Sequence, residues 1–301
     1  MPRYLETHRR GELRGRIEDS LRMLGACRLC PRECQANRLG DEPGTCRAGR
    51  LARVASHFAH MGEECCLSGT GGSGTIFFSW CNLQCVFCQN ASISREPAGR
   101  QVNPQELAGM MLEFQDRGCH NINLVTPTHV IPQILESLPL AIDGGLRVPI
   151  VYNTSAFDSV TALRLLDGVV DIYMPDFKYW FDARAATYLT TAQYPGAARA
   201  GIREMHRQVG DLVIDERGLA RRGLLVRHLV MPGALDDTRE IMVFLAEQIS
   251  RDTFVNIMGQ YRPGGLVGPT AYAEINRAPT AEELAEAYAA ARAAGLHRFE
   301  G

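Results

Sequence analysis

Three cysteines directly after a short apolar run constrain this chain more than any other feature: Cys81-Asn82-Leu83-Gln84-Cys85-Val86-Phe87-Cys88. The C-x3-C-x2-C spacing follows an expected strand, Ile76–Trp80, and so places three thiolates in the loop at a strand's C-terminal end. Thiolates are soft ligands. Three of them over so short a stretch can wrap one face of a four-iron cube and leave one iron without a protein ligand. A substrate or cofactor could chelate that open iron directly. A zinc loop completed by a distant residue, or a set of reduced core cysteines, are the duller readings of the same residues.

Cysteine usage favours metal over disulfides. Ten cysteines are present; nine lie between Cys27 and Cys88, and only Cys119 lies beyond. At 301 residues the chain can bury a core without covalent staples. Its first residues lack the apolar stretch of a secretion signal, so a reducing, cytoplasmic setting is expected. Clustered cysteines there hold metal or do redox chemistry. Lys plus Arg is 32 and Asp plus Glu is 34, a net charge of −2, so no strong basic character recommends a nucleic-acid partner. No apolar run approaches the roughly 18–20 residues needed to span a bilayer. Among the 32 basic residues 31 are arginine, and Lys178 is the single lysine. A lysine surviving such a bias either marks a place that needs a compact ammonium rather than a planar guanidinium, or survives by chance.

Residues 1–26 read as an arginine-rich helical segment, with Leu13, Ile17, Leu21 and Leu24 at helical spacing. Residues 27–68 hold the first cysteines among Gly, Pro and Asn, and read as an irregular lobe tied by metal. Gly69-Thr70-Gly71-Gly72-Ser73-Gly74 reads as a flexible hinge or close-approach turn into a second domain, 69–301; it lacks the Gly-Lys-Ser/Thr ending of a phosphate loop. Beyond it, strands are predicted at Ile76–Trp80, Ile122–Thr126, Ile150–Thr154, Val170–Asp176, Leu224–Met231 and Phe254–Tyr261. Helices are predicted near Pro104–Arg117, Val130–Ala141, Ser159–Leu166, Arg184–Gln208 (interrupted at Pro195-Gly196), Thr238–Ser250 and Ala281–Ala294. Thr280 with Glu283 forms a capping-box pattern for the last, and Gly295 closes it. Apolar strands each followed by a helix imply an α/β fold with a parallel sheet, either a barrel or an open wound sheet, whose strand-end loops supply the site.

A second cysteine set, Cys27-x2-Cys30-x3-Cys34-x11-Cys46 with Pro31-Arg32 inside, has a four-ligand spacing of its own. A closed zinc site would fold a lobe too poor in hydrophobic residues to fold alone. A second four-iron cluster fits equally well and would relay electrons inward. Cys65 and Cys66 are adjacent, cannot easily share one ion, and read as inert buried residues in preference to an exchangeable ligand or thiol pair; Cys119 reads as a core residue at a helix end.

With Phe87 before Cys88, the first motif resembles the C-x3-C-x-aromatic-C hallmark of the radical S-adenosylmethionine (SAM) superfamily. Residues 27–300 further resemble its pyruvate formate-lyase activating-enzyme branch and uncharacterised relatives of that branch. Val170-Asp171-Ile172-Tyr173-Met174-Pro175-Asp176-Phe177-Lys178 is similar to the branch's strand ending in Asp-Leu-Lys, and Val151-Tyr152-Asn153-Thr154 to its Asp-Thr-Asn-Gly strand end. Val226-Arg227-His228-Leu229-Val230-Met231-Pro232-Gly233 is similar to its Arg-x-Val-x-x-Pro-Gly strand.

The resemblance implies a partial (β/α)6 TIM-like barrel preceded by a Cys-rich metal-binding lobe. It implies a [4Fe-4S] cluster on Cys81, Cys85 and Cys88 with SAM on the open iron. Reductive cleavage of SAM would then give methionine and a 5′-deoxyadenosyl radical that abstracts hydrogen. Asp176 and Lys178 would face the SAM carboxylate, Asp176 through a monovalent cation that Asn153, Thr154 and the Met174 carbonyl help to hold. Arg227 would reach SAM or the substrate. The lone lysine thus falls where an ammonium has a carboxylate to bind.

Two positions depart from the branch. Its Gly-Gly-Glu at the second strand end is Thr126-Pro127-Thr128-His129 here, so a Thr126 carbonyl would serve the SAM amino group; a histidine expected after the sixth strand is Tyr261. His129 reads as a polar helix-start residue in preference to a substrate-site acid. The implied activity is generation of a glycyl radical on a partner enzyme, with reduced flavodoxin or ferredoxin as electron donor and neither nucleic acid nor membrane as partner. Hydrogen abstraction from a peptide or small molecule is the alternative among enzymes. Outside them, the alternative is an iron–sulfur electron carrier that binds no SAM.

Overall fold

Short apolar runs separated by Gly, Pro and Asn become the strands of one sheet. The computed structural model describes residues 1–300, with strands β1 Ala52–His60, β2 Ser73–Phe78, β3 Arg100–Val102, β4 Ile122–Val125, β5 Ile150–Thr154, β6 Ile172–Pro175, β7 Val213–Ile214, β8 Ala220–Leu229, β9 Phe254–Met258 and β10 Arg298–Phe299. Their order is β10-β9-β8-β6-β5-β4-β2-β1-β3, with β7 attached to β8. β2, β4, β5, β6, β8, β9 and β10 form parallel ladders, whereas β1 joins β2 and β3, and β7 joins β8, by antiparallel ones. The result is a mixed α/β fold around a mostly parallel sheet.

Side chains alternate across a strand, so each parallel strand feeds two cores. Ile150 and Tyr152 of β5 and Tyr173 of β6 join the large core shared with helices Pro104–Asp116, Ile131–Asp143 and Tyr194–Val209. Val151, Ile172, Met174, Leu225 and Phe254 make a smaller core on the opposite face with Cys66 and Leu67. The segment that carries Cys66 and Leu67 therefore stoppers this second face. No helix is long and apolar enough to cross a membrane among the described residues.

Several expectations hold and others shift for identifiable reasons. β5 matches its expected span, and helix Ala281–Ala294 has the capping box read from Thr280 and Glu283. The helical N-terminus is two helices, Arg3–Arg9 and Glu12–Gly25, broken where Gly11 takes φ 72°. The long helix expected to break at Pro195-Gly196 breaks earlier, at Thr190 (φ 61°); Pro195 sits in the first turn of Tyr194–Val209, where a missing N–H costs nothing. Residues 52–60, expected to be irregular, form β1, so the sheet takes a strand from the first 68 residues. The glycine-rich segment is no flexible hinge at its end: β2 starts at Ser73, and a Cβ on Gly74 would lie 2.6 Å from Phe114 and 2.9 Å from the Asn121 carbonyl oxygen. Close packing, not mobility, requires that glycine.

The Thr280 hydroxyl accepts from the Glu283 amide at 3.1 Å while the Glu283 carboxylate accepts from the Thr280 amide at 2.8 Å. Thr280→Ala should therefore lower unfolding free energy by about 1 kcal/mol in a denaturant titration, and Thr280→Ser should restore most of it.

Candidate active site

The cysteine loop that follows β2 is shaped by two residues in the left-handed region, Trp80 (φ 73°) and Gln84 (φ 59°), each immediately before a cysteine. Such conformations cost energy in non-glycine residues and persist where surroundings hold them. Arginines hold them here. Arg95 donates to the carbonyls of Gln84 and Cys85 at 3.0 and 2.9 Å, and Arg32 to those of Asn82 and Leu83 at 2.6 and 3.2 Å. The Asn82 side chain donates to the Phe157 carbonyl at 2.7 Å, and the Leu83 amide to the Cys81 sulfur at 3.3 Å.

Facing this loop, the ends of the parallel strands bring together a buried charge cluster. Lys178 Nζ lies 2.7 Å from Asp176 Oδ2, and Arg227 Nε donates to Asp176 Oδ1 at 2.7 Å. Another Arg227 nitrogen donates to Asn153 Oδ1 at 2.8 Å. Burial works to raise the Asp176 carboxyl, but the Arg227 and Lys178 cations outweigh it and hold it down at about 2. Burial likewise opposes the Lys178 ammonium, and Asp176 raises it above its ordinary value. All three groups are charged at neutral pH.

A carboxyl pair that the sequence did not announce completes the cluster from below. Glu63 and Glu64, between β1 and the short helix Cys65–Ser68, approach Arg227 at 3.5 and 3.8 Å. Glu63 accepts from Asn123 at 2.6 Å and Glu64 from Asn256 at 3.0 Å. Burial, reinforced by the neighbouring Glu64, pushes Glu63 up to about 8, against the pull of Arg227. Burial also acts on Glu64, but Arg227 prevails and keeps it below the usual range. Glu63 therefore carries the pair's proton at pH 7.

One cavity of about 290 Å³ lies between the loop and the strand ends. Cys81, Cys85 and Cys88 line one side; Thr126, Asn153, Thr154, Asp176, Lys178 and Arg227 line the other. Two details differ from expectation. The Thr154 hydroxyl is committed to Asp158 at 2.7 Å, and its carbonyl accepts from the Asp176 amide at 2.8 Å. Arg227 bridges Asn153 and Asp176, two of the residues expected beside a monovalent cation. Thr126 (φ 57°) donates its amide to the Asn153 carbonyl at 2.9 Å.

Other residues named from sequence lie elsewhere. His129 is buried at the start of a helix, paired with the Ser79 carbonyl at 2.8 Å; burial and Arg38 push it down to about 4, so it is neutral. Tyr261 is buried, donates to the Ile275 carbonyl at 2.9 Å and packs edge-on to Phe87. Cys65 is exposed and Cys66 buried in the smaller core, and Cys119 is buried in the larger one. Cys27, Cys30, Cys34 and Cys46 do not line this cavity. Sequence reading missed Glu63, Glu64, Arg95 and Asn256; of the loop's clamps, only Arg32 carried a signal, its place inside a cysteine motif.

The donor set suits a cubane with one bare corner. Cys85 is buried, Cys81 and Cys88 are half-buried, and all three open on one cavity. A cubane would take each of the three thiolates on its own iron. Burial raises the Cys81 and Cys85 thiols, so a metal must displace protons held more firmly than in free cysteine.

The family model described as the radical SAM superfamily matches residues 75–246. An uncharacterized protein of Methanocaldococcus jannaschii is 32% identical over 282 residues, covering 90% of this chain and 76% of that protein. The chain belongs to the radical SAM superfamily. Membership makes it an enzyme, a radical-generating oxidoreductase with a [4Fe-4S] cluster and SAM, of a kind that typically takes electrons from flavodoxin or ferredoxin.

The carboxyl pair gives a pH signature. Glu63 has a folded pKa of about 8 against an ordinary 4.5, so its contribution is complete below the lower value and disappears as pH rises through the upper one. Between pH 7 and 9 the wild type should lose on the order of 1 kcal/mol that Glu63→Gln does not lose, measured by urea unfolding at each pH. Parallel pH profiles for the two proteins would refute the shared-proton assignment.

Proposed function

We propose that Cys81, Cys85 and Cys88 bind the [4Fe-4S] cluster on the inner face of a partial (β/α)6 barrel. Asp176, Lys178 and Arg227 would hold SAM beside that cluster, and the hydrogen atom removed would come from a glycine residue of a partner protein, as in the activating-enzyme branch. The observation that carries this reading is the convergence on one cavity of three thiols and a charge cluster drawn from separate strand ends. Bound there, the cluster and SAM supply one-electron cleavage of the sulfonium to a 5′-deoxyadenosyl radical.

The side chains do the rest. Asp176, ionised, fixes the Lys178 ammonium by one of its three N–H groups and leaves the others for the SAM carboxylate. Arg227 is immobilised by Asp176 and Asn153 and presents its charge to the same wall. Thr126 would offer its carbonyl to the SAM amino group. Phe78, Phe87, Leu229 and Met258 line the cavity with apolar surface that keeps water from a radical.

After anaerobic reconstitution and reduction, wild type should form 5′-deoxyadenosine from SAM and Cys85→Ala should not; equal product from both would remove the cysteine loop from its role. With proteins biosynthetically labelled with α-deuterated glycine, deuterium should enter 5′-deoxyadenosine. Deuterium arriving instead only from a labelled small-molecule fraction would favour the small-molecule alternative. Lys178→Arg keeps the charge but not the fit beside Arg227, and the KM for SAM should rise about tenfold or more, the cost of one charge-assisted hydrogen bond.

A further inference from the structure

The four cysteines at 27–46 take no part in the site above, yet they lie against it. Backbone bonds fold this stretch on itself: the Cys27 amide donates to the Ala36 carbonyl and the Gln35 amide to the Cys27 carbonyl, both at 3.1 Å. Gly44 lies between two of the thiols. A Cβ there would be 3.0 Å from the Cys34 sulfur and 3.8 Å from the Cys46 sulfur, so a bare glycine lets both face the same space.

Arg38 supplies an independent pointer to an anion. It is fully buried, and its hydrogen bonds go to the carbonyls of Gly49 and His129 and, at 3.7 Å, to the Cys27 sulfur. Among the described residues it meets no carboxylate. A buried guanidinium without a counter-charge is costly, whereas metal-bound thiolates would supply negative charge at that sulfur.

The residues flanking these cysteines also hold the loop of the first set. Arg32, between Cys30 and Cys34, donates to the Asn82 and Leu83 carbonyls. Thr45, beside Cys46, accepts through its carbonyl from Gln84 at 3.3 Å, and Arg47, on the other side, lies over Trp80 at 5.4 Å. Asn82 and Trp80 border Cys81, and Gln84 borders Cys85. Outward, Arg28, Glu33, Gln35 and Thr45 are exposed.

We propose that Cys27, Cys30, Cys34 and Cys46 bind a second [4Fe-4S] cluster that passes single electrons to the cluster at Cys81, Cys85 and Cys88. This rests on the reading of the barrel site given above. A reduced one-electron carrier protein, of the flavodoxin or ferredoxin class, gives up one electron at the exposed side. The lobe cluster accepts it and is reoxidised as the barrel cluster is reduced by the same electron, so no further reductant is needed. Zinc at these four cysteines could not take part, having no redox chemistry.

The test is made on the full chain, reconstituted anaerobically with iron and sulfide while zinc is present. Wild type should hold about eight iron and no zinc per chain, and the triple variant Cys81→Ser, Cys85→Ser, Cys88→Ser about four iron with a reducible cluster signal by electron paramagnetic resonance. Magnetic coupling should broaden the fully reduced wild-type spectrum relative to the partly reduced one. About four iron and one zinc in a wild type that still cleaves SAM would overturn the lobe cluster and leave the barrel site standing. A fully reduced spectrum that is the simple sum of two isolated clusters would overturn the relay. Because wild type is counted directly, a variant that fails to fold does not decide the matter.

Discussion

Everything at the strand ends depends on the ion cluster of Asp176, Lys178 and Arg227 being complete. Three charges out of bulk water are tolerable only because each has a partner within hydrogen-bond distance. The cluster does not stop at the cavity. Arg227 also reaches Glu63 and Glu64, and these carboxyls are bonded to Asn123 of β4 and Asn256 of β9. A cation that faces the cavity from above is thus tied to the segment that stoppers the sheet from below. The stopper is a structural element of the site, since it decides how Arg227 is oriented and how much negative charge that residue must balance.

What could be read in the sequence was whatever depends on near neighbours. Strand β5 was legible as a short β-rich run between Pro149 and Ser155, the last helix as a capping box followed by glycine, and the cysteine loop as a spacing. Lys178 was legible as a survivor of compositional bias, and it does pair with Asp176 two residues away. Strand β1 was not, because it joins the sheet through antiparallel ladders, keeps Ser56 and Phe58 exposed, and so shows no clean apolar run. Glu63 and Glu64 were illegible for a different reason. Their partners lie about 60 to 190 residues away, and an acidic pair before Cys65 looks like surface until the fold buries it. The bond from Arg227 to Asp176 was illegible in the same way, the two lying 51 residues apart in sequence.

Both cysteine sets are flanked by the same device, arginine side chains that donate to backbone carbonyls. Around Cys81–Cys88 the left-handed turns at Trp80 and Gln84 place carbonyls where Arg32 and Arg95 collect them in pairs, while the Leu83 amide turns toward sulfur. Around Cys27 the buried Arg38 collects carbonyls and also donates to sulfur. A planar fork can bridge two carbonyls at once; an ammonium, a point charge, does so less well. Amides and guanidinium groups directed at thiolates stabilise negative charge on a cluster and tune its potential. At Lys178 the demand differs: one compact charge beside a carboxylate at the wall of the cavity. Arginines hold the loops, and the single lysine lies in the cavity.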